Sequence, residues 1–277
     1  MGVLIRASIY RTDNSAFFRA CFREIIQKTC IPAAGSCLRP VCVSGGTVDN
    51  IRRNTILPGA GKSVIVGMSG GVDSAVTAYL LKAAGYEVAG VTLRTWENAF
   101  GEDSRCCEID AARETADVLG IPLYVQNCAA DFREHVSEPF IEEYLAARTP
   151  NPCVECNRYV KWAWLLRMAD RLGADYVATG HYARIEQRKD GRFLLKKGAD
   201  PARDQSYFLY TMTQDQLAQT LFPLGGYTKV RARELAEERG LLNARKRDSQ
   251  DICFVPDGDY EAFLTRYRGK AYPPGDF

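Results

Sequence analysis

The run Ser69-Gly70-Gly71-Val72-Asp73-Ser74 constrains this chain more than any other stretch. It follows Ser63–Met68, a short β-rich apolar run that reads as a buried parallel strand. It opens Ser74–Ala84, whose apolar spacing is that of a helix closed by Gly85. Two adjacent glycines between strand and helix let the backbone turn tightly, with its N–H groups facing an anion. The helix N-terminus adds the positive end of its dipole, and Ser69 and Ser74 add hydroxyl donors. Asp73 is placed either to hold a metal ion or to orient the loop. A plain strand-to-helix turn has the same outline, so two glycines alone do not define a nucleotide site. Gly59-Ala60-Gly61-Lys62-Ser63 is a decoy: a Walker loop needs glycine where Ile56 stands, and this run precedes a strand.

Strand and helix go on alternating. Glu87–Leu93 reads as a strand, Glu108–Leu119 as a helix stopped by Gly120, and Pro122–Gln126 as a third strand. Phe132–Ala147 and Val160–Leu172 read as helices, with Tyr176–Thr179 a fourth strand. The pattern predicts an α/β fold, a doubly wound parallel sheet, over residues 62–215. Arg184–Glu186 and Phe193–Lys197 read as a hairpin around Asp190-Gly191. After about Asp215 the alternation stops, and 216–277 reads as a small, mostly helical C-terminal segment. It holds an amphipathic helix, Thr228–Arg239, capped by Thr228 and ended at Gly240, then the basic run Arg245-Lys246-Arg247. Residues 1–61 read as an extension, either disordered or begun at an upstream start codon. They lack the apolar core of a secretory signal and only faintly resemble an organellar transit peptide.

Charge gives no support to a global nucleic-acid surface. The first 61 residues hold eight Lys or Arg against three Asp or Glu, a net +5. That leaves −3 for the rest of a chain whose total is +2, so any RNA contact has to be a local site. No run approaches the roughly 18 apolar residues of a membrane span. Ten cysteines in 277 residues fall well short of a disulfide scaffold and suit a reducing compartment.

The grouping of those cysteines matters more than their number. Thr149-Pro150-Asn151-Pro152-Cys153-Val154-Glu155-Cys156-Asn157 brings a C-x-x-C to the start of a helix, where the dipole favours a thiolate. C-x-x-C alone fits a redox pair, half a zinc site or cluster ligation. Zinc needs two further ligands, and no second C-x-x-C or nearby histidine supplies them, so no metal ligand is assigned. Asp248-Ser249-Gln250-Asp251-Ile252-Cys253-Phe254 holds another cysteine, which taken alone reads as a core residue.

The hexapeptide at 69–74 resembles the SGG-x-DS signature of the PP-loop ATP pyrophosphatases. With TPNP-x-x-x-CN at 149–157, ATGHYAR at 178–184, DQSYFLY at 204–210 and DS-x-x-ICF at 248–254, the chain resembles the tRNA-uridine 2-sulfurtransferases over essentially all of 63–265. The resemblance implies an ATP- and Mg²⁺-dependent cytoplasmic enzyme that thiolates the wobble uridine of tRNA. It implies that Gly67, Met68, Ser69, Gly70, Gly71, Val72, Asp73 and Ser74 cradle the phosphates, with Leu93 and Gly180 also at the ATP. Asn151, Pro152 and Cys153 would lie against the target base, and His181, Arg203, Asp204 and Gln205 would contact tRNA. Cys156 would be the nucleophile and Cys253 the persulfide carrier, the two able to form a disulfide, with a sulfur-donor protein as partner. Many family members carry Asp where this chain has Cys153. The alternative is therefore a 4Fe–4S-dependent thiolase in which Cys153, Cys156 and Cys253 ligate three irons, or else a non-catalytic tRNA-binding fragment. The family continues into β-barrel domains beyond the point where this sequence stops, so 216–277 reads as the start of a central tRNA-binding region, apparently truncated.

Overall fold

The computed structural model describes residues 59, 61–96, 108–241, 243–244, 252–255 and 258–268. The extension expected over 1–61 lies outside these apart from positions 59 and 61. Cys106-Cys107, Arg245–Arg247 and Asp248–Asp251 lie outside them as well.

The first strand, β1 (Ser63–Gly67), runs down the middle of the sheet. Its Val64, Ile65 and Val66 are fully buried, as a parallel strand covered on both faces requires. β2 (Glu87–Arg94) and β3 (Leu123–Asn127) extend the sheet on one side, and β4 (Tyr176–Ala178) begins the other. β5 (Ala183–Gln187) and β6 (Phe193–Lys197) form the expected antiparallel hairpin. β7 (Thr220–Leu221) closes the far edge, giving the order β3-β2-β1-β4-β7 with every pair parallel. This is the doubly wound α/β architecture that the alternation predicts.

Nine α-helical segments accompany the described strands. α1 (Val72–Ala83), α2 (Ile109–Leu119) and α8 (Lys229–Glu238) bury alanines and leucines against the Val64 and Val66 face of the sheet. α6 (Trp162–Leu172) covers the opposite face, where Leu165, Met168 and Ala169 meet Ile65, Ala89, Val91 and Val177. α3 (Ala129–Phe132) passes through a π-helical segment, Arg133–Ser137, into α4 (Glu138–Leu145). α5 (Pro152–Glu155) passes through a second, Cys156–Lys161, into α6. α7 (Gln214–Ala218) and α9 (Tyr260–Arg268) complete the set. Among the described residues, no helix is long and apolar enough to cross a membrane.

Three differences from the sequence expectation bear on the site. The helix expected from Val160 starts at Pro152, so Cys156 lies a full turn inside helical structure. Proline is tolerated in a first turn because its missing N–H has no intrahelical partner there, and Asn151 Oδ1 caps the turn by accepting from Val154 N at 3.4 Å. The sheet takes its fifth strand from beyond position 215. At two residues β7 is too short to show a period, and it is held by the Trp162 indole N–H donating to Thr220 Oγ1 at 3.0 Å. α7 begins with a capping box: Thr213 Oγ1 accepts from Gln216 N, and Gln216 Oε1 from Thr213 N.

Candidate active site

Strand order switches between β1 and β4, with β2 and β3 added on one side and β4 and β7 on the other, and in such sheets the crevice beyond the carboxyl ends of the strands is where ligands bind. The loop after β1 and the turn after β4 meet there. Gly70 adopts φ +78°, which suits glycine, and a Cβ on it would come within 2.6 Å of the Glu108 carbonyl. Ser74 Oγ donates to Gly71 O at 3.0 Å and accepts from Ser69 N at 3.3 Å, bracing the loop from inside. Thr92 Oγ1 donates to Met68 O at 2.9 Å and ties the loop to β2.

The turn after β4 lies against the first turn of α1. A Cβ on Gly180 would stand 2.8 Å from the Asp73 carbonyl carbon and 3.0 Å from Ser74 N, so only glycine permits this approach. The Tyr182 hydroxyl donates to Asp73 Oδ1 at 2.8 Å. Lys229, at the start of α8, donates from Nζ to both Asp73 oxygens at 2.8 Å with its side chain 9% exposed. Of the two roles open to Asp73, this geometry fits orientation of the loop: its carboxylate is engaged from the α8 side and from the Gly180 turn together.

A cavity of about 210 Å³ opens between these segments. It is lined by Gly67, Met68, Ser69, Asp73 and Ser74 from the loop, Leu93 from β2, Gly180 and His181 from the turn, and by Gln205, Cys156 and Cys253. Eleven of the expected site residues therefore share one cavity. Gly70 and Gly71 shape the loop without lining the cavity, and Val72 is packed in the core. Gln205 is fixed by a reciprocal pair of bonds with Tyr182, N to O and N to Oε1, each at 3.0 Å. Arg203 and Asp204 lie outside the cavity. Burial works against the Asp204 charge, yet N–H and hydroxyl donors from Gly198 and Ser206 hold its carboxyl below the ordinary range.

His181 shares a hydrogen bond with Thr179 Oγ1 at 2.7 Å. Burial first, and the nearby Lys161 charge second, bring its imidazole pKa down to about 3, so it is neutral at physiological pH. Lys161 lines the same cavity and is the one Lys or Arg among its lining residues. It closes the π-helical segment that Cys156 opens, and the i→i+5 register of that segment differs from the i→i+4 of an α-helix. Sequence reasoning missed Lys161, Lys229 and Tyr182. Tyr182 stands inside the ATGHYAR run, where the motif could have pointed to it. The two lysines look like ordinary solvated residues in the sequence.

Cys253 is held beside Cys156 by its neighbour. Phe254 packs its ring against Phe140, Phe132, Phe263 and Trp96, at centroid distances of 5.1, 5.4, 5.5 and 5.9 Å. Cys156 belongs to the same apolar cluster. Cys153, one helical turn before Cys156, is exposed and lies outside the cavity, and both Cys156 and Cys253 are thiols here. Among the described residues, no three His, Cys, Asp or Glu side chains are grouped to hold a metal. The three cysteines do not fit a 4Fe–4S cluster, because Cys153 faces solvent while the other two face the cavity.

A parallel doubly wound sheet, with a glycine turn opening a helix at its switch point, defines a nucleotide-binding α/β domain of the PP-loop type. The tRNA methyl transferase HUP domain family matches residues 62–257. A tRNA-specific 2-thiouridylase MnmA of Lachnoclostridium phytofermentans is 54% identical over 223 residues, which cover 78% of this chain and 62% of that relative. One from Caldanaerobacter subterraneus is 54% identical over 222 residues, covering 77% of this chain and 61% of the relative. The chain belongs to this 2-thiouridylase (MnmA/TrmU) family, and it spans about three-fifths of the length of the curated relatives it matches. A solved 4-thiouridine synthetase–RNA complex with bound ATP superposes with a TM-score of 0.47 at 19% identity, covering 72% of this chain and 46% of that one.

Proposed function

We propose that this chain carries the catalytic half of an ATP-dependent tRNA thiolase that replaces the C2 oxygen of the wobble uridine with sulfur. One observation carries the reading: Cys156 and Cys253, 97 positions apart, line the cavity formed by the Gly67–Ser74 loop and the Gly180 turn. A nucleotide cradle and two thiols in one cavity suit a reaction that activates an oxygen and then displaces it with sulfur.

In this scheme the uracil C2 oxygen attacks the α-phosphorus of ATP, pyrophosphate leaves, and AMP sits on the base oxygen. The loop N–H groups of 67–74 and the dipole of α1 would face the departing negative charge, and Lys161 would add a cation from the cavity lining. The terminal sulfur of a persulfide on Cys253 then attacks C2. Cys156 thiolate attacks the inner sulfur, the persulfide S–S bond breaks, and AMP departs with the former C2 oxygen as the C=S bond forms. A Cys156–Cys253 disulfide remains, to be reset by an external thiol. The persulfide sulfur comes from a donor protein. Neutral His181 presents no positive charge of its own, leaving Lys161 as the cation of the cavity lining. Mg²⁺ supplies charge neutralisation on the triphosphate when bound. The lining offers one carboxylate, Asp73, already engaged by Lys229 and Tyr182, so no protein ligand is assigned to the ion. The wobble base has to leave the anticodon loop stack to reach the cavity, which costs less in a loop than in a duplex.

The test is mass spectrometry of tRNA nucleosides after incubation with the chain, ATP and a persulfide donor. The reading predicts ATP-dependent 2-thiouridine that disappears in Cys156→Ala. Thiolation that survives this substitution contradicts it.

A further inference from the structure

A second cleft, of about 400 Å³, is lined in part by Asn151, Pro152, Val154 and Glu155 of the short helix α5 and its cap, none of which lines the nucleotide cavity. Its walls are aromatic and open to solvent. Tyr207 and Tyr210 stand on one side, 64% and 65% exposed, their rings 6.1 Å apart. On the other side His135 stacks on Tyr159 at 4.8 Å and 25°, and Arg158 lies over the same Tyr159 ring at 4.8 Å. Large aromatic side chains grouped in solvent mark a contact surface and not a core. Acidic residues are present too, but Glu143 is taken by two bonds from Arg148 and Glu155 sits beside the helix start.

We propose that this cleft seats an unpaired nucleobase of the RNA strand, next to the base that enters the nucleotide cavity. The proposal rests on the thiolase reading above and adds a subsite to it. Two chain segments run directly from one recess into the other. Asn151 and Pro152, which the resemblance sets against the target base, line the cleft and not the cavity, and Cys156, four residues on from Pro152, lines the cavity. Gln205 lines the cavity, and Tyr207 and Tyr210 follow it into the cleft. A single strand with one base turned into the cavity therefore finds aromatic faces where its neighbour has to go. Ring faces with a guanidinium plane beside them are what a single-stranded base stacks on, largely irrespective of its identity.

The experiment measures binding of the chain to an anticodon stem-loop RNA carrying 2-aminopurine beside the wobble uridine, and to the same RNA with an abasic nucleotide there. The double variant Tyr207→Ala/Tyr210→Ala is expected to bind the intact RNA at least about fivefold more weakly, while the Tyr→Phe pair binds like the original chain. The abasic RNA is expected to bind the original chain as weakly as the alanine variant binds intact RNA. The alanine variant should lose nothing further on the abasic RNA, and ATP affinity should stay unchanged as the control for folding. An alanine variant that binds intact RNA like the original chain overturns the subsite and leaves the thiolase reading standing, with a protein partner as the cleft's occupant. A chain that binds neither RNA overturns both.

Discussion

Lys229→Met keeps the aliphatic stem and removes the charge that holds Asp73. The Lys229 side chain is 9% exposed and Asp73 33%, with both carboxylate oxygens 2.8 Å from Nζ. Breaking a fully buried ion pair from one side costs about 3–5 kcal/mol, and an exposed pair contributes about 0–1. The exposed third of Asp73 lets water take over part of the lost contact, which places the cost at about 1–3 kcal/mol. Urea unfolding at neutral pH reads this as a lower midpoint with an unchanged slope. Asp73 and Ser74 open α1 directly under the loop, so the same variant should also bind ATP about tenfold more weakly, equivalent to about 1.4 kcal/mol. Asp73→Asn/Lys229→Met removes both charges together and should recover most of the stability, though not the ATP affinity. If Lys229→Met costs less than about 0.5 kcal/mol and leaves ATP affinity unchanged, the pair does not organise the loop.

Other outcomes follow from the same geometry. Gly180→Ala drives a methyl to 2.8 Å from the Asp73 backbone, should cost about 1–3 kcal/mol, and should weaken ATP binding measured by calorimetry. The folded-state pKa of His181 lies below its unfolded value of about 6.5, so its contribution to stability is present above that pH. That contribution is lost progressively as pH falls toward 3, and NMR should show an imidazole that stays neutral through pH 5. Thr220→Val leaves the buried Trp162 N–H without its acceptor and should cost about 1–3 kcal/mol in thermal or urea unfolding.

The frame was legible in the sequence because two adjacent glycines between an apolar run and a helical one admit few alternatives. Gly70 with its positive φ and the buried Val64–Val66 run are the structural form of those signals. The meeting of Cys156 and Cys253 was available only through resemblance, since no local pattern links positions 97 apart. Which cysteine of the C-x-x-C faces the cavity was likewise legible only through the resemblance, which singles out Cys156, and not from the spacing. Spacing places Cys153 and Cys156 about one turn apart, and in the folded chain Cys156 packs in the cluster of Phe132 and Phe254 while Cys153 is exposed. Lys229 gave no signal either: a lysine after a capping threonine looks solvated until α8 is folded over α1. The edge strand β7 escaped for want of length.

In the proposed reaction sulfur passes from Cys253 to the base and Cys156 closes the exchange. Loading Cys253 with a radiolabelled persulfide, adding ATP and tRNA, and quantifying nucleosides and linked peptides from one sample tests this directly. The predicted result is labelled 2-thiouridine and one Cys156–Cys253 disulfide for each thiouridine formed, with neither product when ATP is omitted. Thiouridine formed with both cysteines still reduced, or a disulfide joining Cys153 to Cys156 instead, contradicts it.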